Sequence, residues 1–291
     1  MAIKHEPYGL FPHFDSGMER RPFFVAAGSE AVLGCRFDHA VESSLLSVSC
    51  GEEKIAVKGT LQNTDDRGHQ YYRFVLPTEG LCGNVAYSFS GGGEESRNYS
   101  FDLLRRQEAR FLGAECKTDA AELLYQCEQG IFAITFSPSK HGVRCSFTRR
   151  LSVKTQPFPE RMEVPIGEGF LLHTERKGAF LSYYGQTIAC FPASLHLLLD
   201  DAGSARTLRF SLEMPGRSFY GFGEKFDSVD QAGKAPLNYV VEQFANQGDK
   251  TYLPIPFFFT EAGVSLLQTT MSRSQFDLSA AGETGGAIEI S

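Results

Sequence analysis

Four pairs of adjacent carboxylates are the first residues in this 291-residue sequence that could do chemistry. The pairs are Glu52-Glu53, Asp65-Asp66, Glu94-Glu95 and Asp200-Asp201. Two carboxylates can hydrolyse a glycosidic bond only when they face each other across the sugar, about 5 to 9.5 Å apart. Neighbours on a strand point to opposite faces of the sheet, and each pair stands among turn-forming residues. We therefore interpret the pairs as solvated loops.

Histidine spacing gives no metal site. The seven histidines are His5, His13, His39, His69, His141, His173 and His196. None stands in an H-x-H or H-x-x-x-H pattern, the spacing that would place two ligands on one metal ion. His173 and His196 lie in strand-like segments and could act as general acids, but a structural role is favoured. We predict neither a metal nor a catalytic residue in this chain.

A glycine pair at Gly221 and Gly223 is similar to the start of a dinucleotide-binding loop. Phe226 stands where the third glycine of that loop would be, and no helical pattern follows. We predict no cofactor. The two glycines instead indicate a tight backbone excursion that a Cβ atom would hinder. The surrounding aromatic residues Phe219, Tyr220, Phe222 and Phe226 are expected to pack against the sheet.

The seven cysteines are an odd number and include no C-x-x-C pair. Neither a disulfide framework nor a redox dithiol is indicated, and a reducing cytoplasm suits such a set. Lys and Arg total 28 against 35 for Asp and Glu, a net charge of −7, and no basic run occurs. This balance argues against nucleic acid and anionic membranes as partners. No signal peptide or long apolar run is present, so a soluble, cytoplasmic chain is expected.

Apolar residues alternate with polar ones along most of the chain, the period of a β-strand with one buried face. The segment 207–214 shows this most clearly, and 85–89 and 143–147 follow the same rhythm. Further strands are predicted at 70–76, 131–136, 195–199 and 264–269. The best helical signal, 119–127, has a capping-box pattern but also fits a strand. The pattern predicts an all-β protein.

Strands this short, separated by turn residues and without βαβ alternation, are typical of β-sandwiches. Gly91–Ser96 resembles a hairpin tip, and the charged segment Leu104–Arg110 is expected to follow the next strand. We place a domain boundary near residue 112. Residues 1–112 would form an accessory immunoglobulin-like sandwich, and residues 113–291 a larger one.

Two motifs in the larger region carry a family resemblance. Phe219–Phe226 reads FYGFGEKF, and Tyr252–Phe259 reads YLPIPFFF, followed by Gly263-Val264. This order resembles the N-terminal, galactose mutarotase-like β-sandwich region of family 31 glycoside hydrolases, the α-glucosidase and α-xylosidase family. The resemblance is sharpest over 216–270. It implies a structural role for the motif residues Gly221, Gly223, Glu224, Pro256 and Phe257.

The family resemblance also implies a retaining α-glycosidase whose two carboxylates lie on a (β/α)₈ barrel that follows the sandwich. Such a barrel needs about 250 residues of alternating strand and helix, and this sequence shows no such alternation. It also has no tryptophan for the family's W-x-D-x-x-E type of nucleophile motif. We therefore expect a non-catalytic N-terminal portion that scaffolds the missing barrel and is inactive alone.

A loop of the sandwich borders the sugar pocket in this family, and it corresponds to residues 241–250 here. The resemblance assigns Glu242, Gln243, Phe244 and Asn246 to this loop. Gln243 takes the place of an aspartate that binds the sugar in many members. An amide still donates and accepts hydrogen bonds to hydroxyl groups. The implied partner is an α-linked oligosaccharide or glycoside.

Two other functions remain open. A free-standing carbohydrate-binding sandwich would need exposed tyrosines or phenylalanines as sugar platforms. An aldose epimerase would need a general acid and base around His173 or His196. Exposed apolar side chains at Pro254–Phe259 and an unpaired strand near the C-terminus would also lead to self-association.

Overall fold

The computed structural model describes residues 3–7, 16–118, 120–151, 158–159, 161–175, 178–240, 248, 251–270 and 273–278, together with the backbone of 286–290. Every regular element within these residues is a β-strand, which confirms the all-β prediction. The first thirteen strands are β1 (Ile3–Lys4), β2 (Arg20–Arg21), β3 (Val25–Ala26), β4 (Glu30–Phe37), β5 (Ser44–Cys50), β6 (Glu53–Lys58), β7 (Thr60–Thr64), β8 (Gln70–Pro77), β9 (Gly83–Gly91), β10 (Glu94–Glu95), β11 (Tyr99–Lys117), β12 (Ala120–Cys127) and β13 (Gly130–Ser139). The other thirteen are β14 (Gly142–Arg150), β15 (Met162–Gly167), β16 (Phe170–Glu175), β17 (Gly178–Tyr183), β18 (Gln186–Phe191), β19 (Ser194–Leu199), β20 (Ala205–Met214), β21 (Phe219–Gly221), β22 (Leu237–Asn238), β23 (Phe257–Thr260), β24 (Ser265–Leu267), β25 (Ser274–Asp277) and β26 (Gly286–Ile290).

The chain divides into two compact units. The first comprises Met1–Arg106 with Leu198–Arg206, and the second comprises Gln107–Leu197 with Thr207–Ser291. The dividing point at residue 106 falls inside the long strand β11. The charged segment 104–110 therefore lies within a strand, not after one. The strand continues because Leu104 and Ala109 are buried on it while the charged side chains face outward.

The first unit contains two sheets. In one, the strands lie in the order β1-β4-β8-β7, with β2 also paired to β4. In the other, β5 pairs with β6 and β9, and β9 pairs with β10 and the start of β11. Buried side chains from both sheets, including Leu33, Phe74 and Phe89, form one apolar cluster. Burial of this cluster stabilises a sandwich, as the alternating pattern predicted.

The second unit contains antiparallel meanders. One runs through the end of β11, β12, β13 and β14, and another through β15, β16, β17 and β18. A single pairing, Cys190 with Glu213, joins β18 to β20, and β26 lies between β20 and β25. The prediction of an unpaired C-terminal strand is therefore wrong, because β26 is paired on both sides.

Two local predictions have different outcomes. The segment 119–127, for which a helix and a strand were both open, forms the strand β12 over 120–127, and residues 121–125 are all buried. A strand buried on both faces loses its alternation, so its apolar run resembles part of a helix. In β14, Val143 and Phe147 are half-buried as expected, whereas Cys145 is exposed. The alternating segment 207–214 behaves as predicted, with Leu212 and Met214 buried on β20.

Candidate functional site

The two family motifs meet in a small antiparallel sheet of β21, β23 and β24. Strand β21 pairs with β23, so that Tyr220 lies opposite Phe259 and Gly221 opposite Phe258. Strand β24 covers the other side of β23, with Phe257 opposite Leu267. Segments about thirty residues apart in the sequence thus become direct neighbours, and each supplies the hydrogen-bonding partner of the other.

Three consecutive residues, beginning with the last residue of β21, have positive φ angles. These angles are +125° at Gly221, +66° at Phe222 and +89° at Gly223, a conformation that side chains with a Cβ atom rarely adopt. The excursion brings the Phe222 amide within 2.8 Å of the Phe257 carbonyl, to which it donates a hydrogen bond. The structure therefore gives the physical reason for both glycines.

Close approach of two backbones also requires these glycines. A Cβ atom on Gly221 would lie 2.5 Å from the carbonyl oxygen of Phe257, and one on Gly223 would overlap the carbonyl oxygen of Leu253. Neither carbonyl belongs to a flexible side chain that could move aside. The Glu224 amide donates a hydrogen bond to the same Leu253 carbonyl at 3.2 Å. The excursion is therefore fixed on both sides against residues 253–258.

Four buried phenylalanines support the excursion from beneath. Phe222 stacks on Phe258 with ring centroids 5.0 Å apart and planes 12° apart, and Phe276 lies 5.3 Å from Phe222. Phe219 completes the group 5.9 Å from Phe258. Such ring contacts contribute about 1 kcal/mol each beyond the burial of their area. They give Phe222 a stabilising contact that offsets its unfavourable φ angle.

Two carboxylates that the sequence analysis missed hold the beginning of β21. Glu261 accepts hydrogen bonds from the amides of Arg217 at 2.6 Å and Ser218 at 2.8 Å. Asp230 accepts from the amides of Phe219 and Ala232, both at 3.0 Å. The Arg217 amide lowers the pKa of Glu261. For Asp230, burial opposes ionisation, but the amides of Ala232 and Phe219 outweigh it and lower the pKa.

The glutamate of the first motif contacts the tyrosine that opens the second. Glu224 accepts a hydrogen bond from the phenol of Tyr252, and this bond together with the negative charge of Glu224 raises the pKa of Tyr252. Both side chains are exposed at this point. Glu224 is thus a link between the two motifs.

The outer face of the small sheet is apolar and exposed. Phe257 is 37% exposed, Phe259 44% and Leu267 59%, and the rings of Tyr220 and Phe259 lie 5.5 Å apart. Phe226 was expected to pack against the sheet. Its side chain is 52% exposed, and its ring centroid lies 6.1 Å from that of Tyr252, so about half of its surface remains open to solvent.

The predicted pocket loop lies outside the described residues. Glu242, Gln243, Phe244 and Asn246 are all affected, so the structure gives no geometry for them. The flanks are described: Val240 is 45% exposed before the loop, and Thr251 is fully buried after it. The hydroxyl of Thr251 accepts a hydrogen bond from the Leu253 amide at 3.0 Å, which ties the end of the loop to the second motif. Pro256 lies in this same segment, and its carbonyl accepts a hydrogen bond from the Gln268 amide at 2.8 Å.

The two histidines proposed for an epimerase have different surroundings. His173 on β16 stacks on Phe180 at 4.4 Å, and its two ring nitrogens face Glu163 at 3.2 Å and the buried Ser182 hydroxyl at 2.9 Å. His196 is exposed on β19. Both nitrogens of His173 are thus occupied by neighbours on the same sheet, which is the pattern of a structural histidine.

The four acid pairs lie at surface turns or strand ends. Asp65 accepts hydrogen bonds from the amides of Arg67 and His69, and Asp200 accepts one from Ser204 at 2.8 Å. These carboxylates stabilise turns in the way that aspartates usually do. Glu94 and Glu95, expected in a loop, form the short exposed strand β10.

A small cavity lies in the second unit. It has a volume of about 130 Å³ and is lined by Phe111, Leu112, Gly113, Phe158, Pro159, Thr174 and Glu175. Among these residues Glu175 is the single carboxylate, so the cavity holds no glycosidase pair. In the part of the chain that the structure describes, no group of three or more potential ligands is arranged for a metal ion. That part also contains no helix long and apolar enough to cross a membrane.

Residues 127–277, just over half of the chain, match the family described as the glycosyl hydrolase 31 N-terminal galactose mutarotase-like domain. An isomaltosyltransferase of Sporosarcina globispora is 35% identical over 60 residues. That match covers 21% of this chain and 6% of the relative.

Two groups of solved structures share the fold. The cycloalternan-forming enzyme of Listeria monocytogenes, solved with a pentasaccharide substrate, superposes with a TM-score of 0.71 at 17% identity. The match covers 100% of this chain and 30% of that enzyme. The cycloalternan-degrading enzyme of Trueperella pyogenes, solved with cycloalternan, gives a TM-score of 0.55 at 18% identity, covering 99% of this chain and 34% of the enzyme. This chain therefore spans about a third of the length of these enzymes.

Proposed function

The chain belongs to glycosyl hydrolase family 31 through its N-terminal galactose mutarotase-like domain, and from that premise we propose that it scaffolds a catalytic (β/α)₈ barrel. In this proposal the two carboxylates that cleave an α-glycosidic bond belong to the barrel. This chain supplies a supporting surface and part of the rim of the sugar pocket. The substrate is an α-linked oligosaccharide or glycoside, the class to which the names of the isomaltosyl and cycloalternan relatives point.

The observation that carries the proposal is the exposed apolar face of β21, β23 and β24. Tyr220, Phe257, Phe259 and Leu267 form a continuous patch on one side of the sheet, opposite the buried phenylalanines. Exposed apolar patches that include several aromatic side chains mark protein interfaces. The patch lies on the family motifs themselves, and the rigid excursion below it keeps its shape fixed. We assign the barrel to this face.

The loop at 241–250 is the second contribution. Its end is tied to the second motif by the hydrogen bond between Thr251 and Leu253, and that motif carries the proposed barrel face. We propose that Gln243, with Glu242, Phe244 and Asn246 beside it, borders the sugar pocket. The amide of Gln243 would hydrogen-bond two neighbouring hydroxyl groups of the sugar.

Reconstitution tests the scaffold. The chain is co-expressed with a separately tagged (β/α)₈ barrel polypeptide from a family 31 protein of the same organism. The complex is then isolated through the barrel tag and assayed with 4-nitrophenyl α-glucoside. We expect the wild-type chain to co-purify and Phe259→Asp to abolish co-purification, because a carboxylate in an apolar interface is costly. Phe23→Asp is the matched control, since Phe23 is also 44% exposed but lies in the first unit.

Equal recovery of the two variants would contradict the assignment of the barrel to this face.

The role of the pocket loop is tested separately in the same complex. Gln243→Ala should raise KM for the glucoside with little change in kcat, since a uniform binding contact is removed. An unchanged KM would remove Gln243 from the pocket and leave the scaffold proposal in place.

A further inference from the structure

Three aromatic rings cluster at the tip of the β16–β17–β18 meander in the second unit. The rings of Phe170 and Tyr183 have centroids 4.5 Å apart, and those of Tyr183 and Tyr184 are 4.6 Å apart. Tyr183 is 42% exposed and Tyr184 67%. We call Phe170, Tyr183 and Tyr184 the aromatic tip.

The backbone of the aromatic tip is unfavourable for its own sequence. Tyr183 pairs with Gln186, so Tyr184 and Gly185 form a two-residue hairpin turn. Both have positive φ, +45° and +82°, which defines a turn that favours Asn-Gly. A tyrosine in the first position is strained, because its Cβ atom crowds the following carbonyl. Such strain at an exposed position points to a function for the side chain.

A glycine below the rings holds them in place. The Tyr184 amide donates a hydrogen bond to the Gly169 carbonyl at 2.8 Å, which joins the two hairpin tips of the meander. A Cβ atom on Gly169 would lie 2.7 Å from the Tyr184 ring and 3.0 Å from the Tyr183 ring. Both rings therefore rest on bare backbone. Tyr183 also packs against Phe170, and Tyr184 keeps the larger exposed surface.

The chemistry around the rings selects the ligand class. Segments 167–170 and 182–187 contain no Lys or Arg, so an anionic ligand finds no complementary charge in them. The exposed polar side chains of these segments, besides the tyrosine hydroxyl groups, are those of Glu168, Gln186 and Thr187. Rings that offer a flat apolar face, with acceptors and donors at their edge, suit a neutral pyranose with an apolar face and hydroxyl groups around its rim.

We infer that the aromatic tip is a binding platform on which the ring of Tyr184 stacks against a pyranose ring of a neutral α-linked gluco-oligosaccharide, while the ring of Tyr183, whose plane is 66° from that of Tyr184, contacts the edge of the sugar. Glu168 and Gln186 would hydrogen-bond its hydroxyl groups. The choice of an α-linked glucan within the pyranose class rests on the function proposed above; the platform itself rests on the geometry of the rings and turn.

Titration of the full chain tests the platform. The chain is labelled with ¹³C on its tyrosine rings, and maltopentaose, isomaltopentaose or myo-inositol is added to tens of millimolar concentration. We expect saturable shifts of the Tyr183 and Tyr184 ring signals with at least one pentasaccharide and none with myo-inositol, whose ring is not a pyranose. Absence of any shift at these two rings would overturn the inference.

Tyr184→Asn separates binding from folding. Asparagine is favoured at this turn position, so the variant should melt at a higher temperature than the wild type while its Kd for the pentasaccharide rises about tenfold. Phe23→Ala is the matched control. Phe23 and Phe24 also form an exposed aromatic pair, with centroids 4.7 Å apart, and its loss should leave Kd unchanged.

An unchanged Kd in Tyr184→Asn would overturn the inference even if the sugar binds. The result is also separable from that of the barrel proposal, which is read out by co-purification. Sugar binding at the aromatic tip without barrel binding would remove the scaffold proposal alone. Barrel binding without sugar at the aromatic tip would remove this inference alone.

Discussion

Phe222 and Phe258 stack nearly parallel, with ring centroids 5.0 Å apart and planes 12° apart. One belongs to the FYGFGEKF motif and the other to the YLPIPFFF motif. Their contact joins the two motifs into one structural unit. The positive φ angles at Gly221, Phe222 and Gly223 are needed to bring the Phe222 ring under β23. The first predictions test this unit.

Gly223→Ala should destabilise the chain severely. The added Cβ atom would overlap the Leu253 carbonyl, and φ at residue 223 is +89°. Backbone strain and this clash together should lower the free energy of unfolding by about 3 kcal/mol or more. Gly233→Ala is the control, because Gly233 has φ of +76° but nothing within 4 Å of an added Cβ. In that variant the free energy of unfolding should fall by about 1 to 2 kcal/mol. Urea denaturation measures both, and equal losses would show that the close approach has no energetic role.

Adjacent phenylalanines on β23 should respond differently to truncation. Phe258 is fully buried among the aromatic cluster, whereas Phe257 is 37% exposed on the outer face. Phe258→Ala should lower the free energy of unfolding by about 3 to 5 kcal/mol, and Phe257→Ala by about 1 kcal/mol. Thermal melts followed by circular dichroism would compare them. Similar losses would mean that the two faces of the small sheet are not distinct.

Much of the fold follows from the alternation of side chains, and the exceptions have physical causes. Leu212 and Met214 are buried on β20 as the pattern requires. The strand β12 lost the pattern because Leu123 and Leu124, on opposite faces, are both buried. The exposure of Phe226 could not be predicted, since the direction of the chain after Gly223 depends on the contact with Leu253.

The candidate site was predictable only in part. The motif glycines could be assigned because left-handed backbone excludes most other residues. The roles of Glu261 and Asp230 at the start of β21 could not, because Glu261 binds the amides of Arg217 and Ser218, more than forty residues away, and Asp230 binds the amide of Phe219, 11 residues away. Nothing in the residue type distinguishes such a carboxylate from a solvated one.

Glu261→Ala should loosen the start of β21. The carboxylate accepts hydrogen bonds from the amides of Arg217 and Ser218, and alanine leaves both amides without these acceptors. We expect faster hydrogen–deuterium exchange at residues 217–219, with exchange in β4 unchanged. Glu213→Ala, at an exposed glutamate on β20, serves as the control. Unchanged exchange at 217–219 in the Glu261 variant would contradict the anchoring role.

His5 should make the first unit sensitive to acid. The ring is buried against Gly34 and Tyr87, and burial lowers the pKa of His5 from 6.5 to about 4. The unfolded chain therefore binds this proton more readily than the folded chain. The stabilisation is complete above about pH 6.5 and is lost as pH falls toward 4, by about 3 kcal/mol in all.

His5→Gln should flatten the dependence of unfolding free energy on pH between 6.5 and 4 relative to the wild type. His39→Gln, at an exposed histidine, should leave the dependence as it is. Urea denaturation at a series of pH values provides the comparison. A His5 variant with the wild-type pH profile would show that the buried ring is not the titrating group.

The hydrolysis of α-glucosides by the purified 291-residue chain tests the central claim most directly, namely that this chain supports a catalytic centre without containing its carboxylates. With 4-nitrophenyl α-glucoside and isomaltose as substrates, we predict no turnover above buffer. Turnover that persists through repeated purification, and that disappears when one of the chain's own carboxylates is replaced by its amide, would contradict the claim.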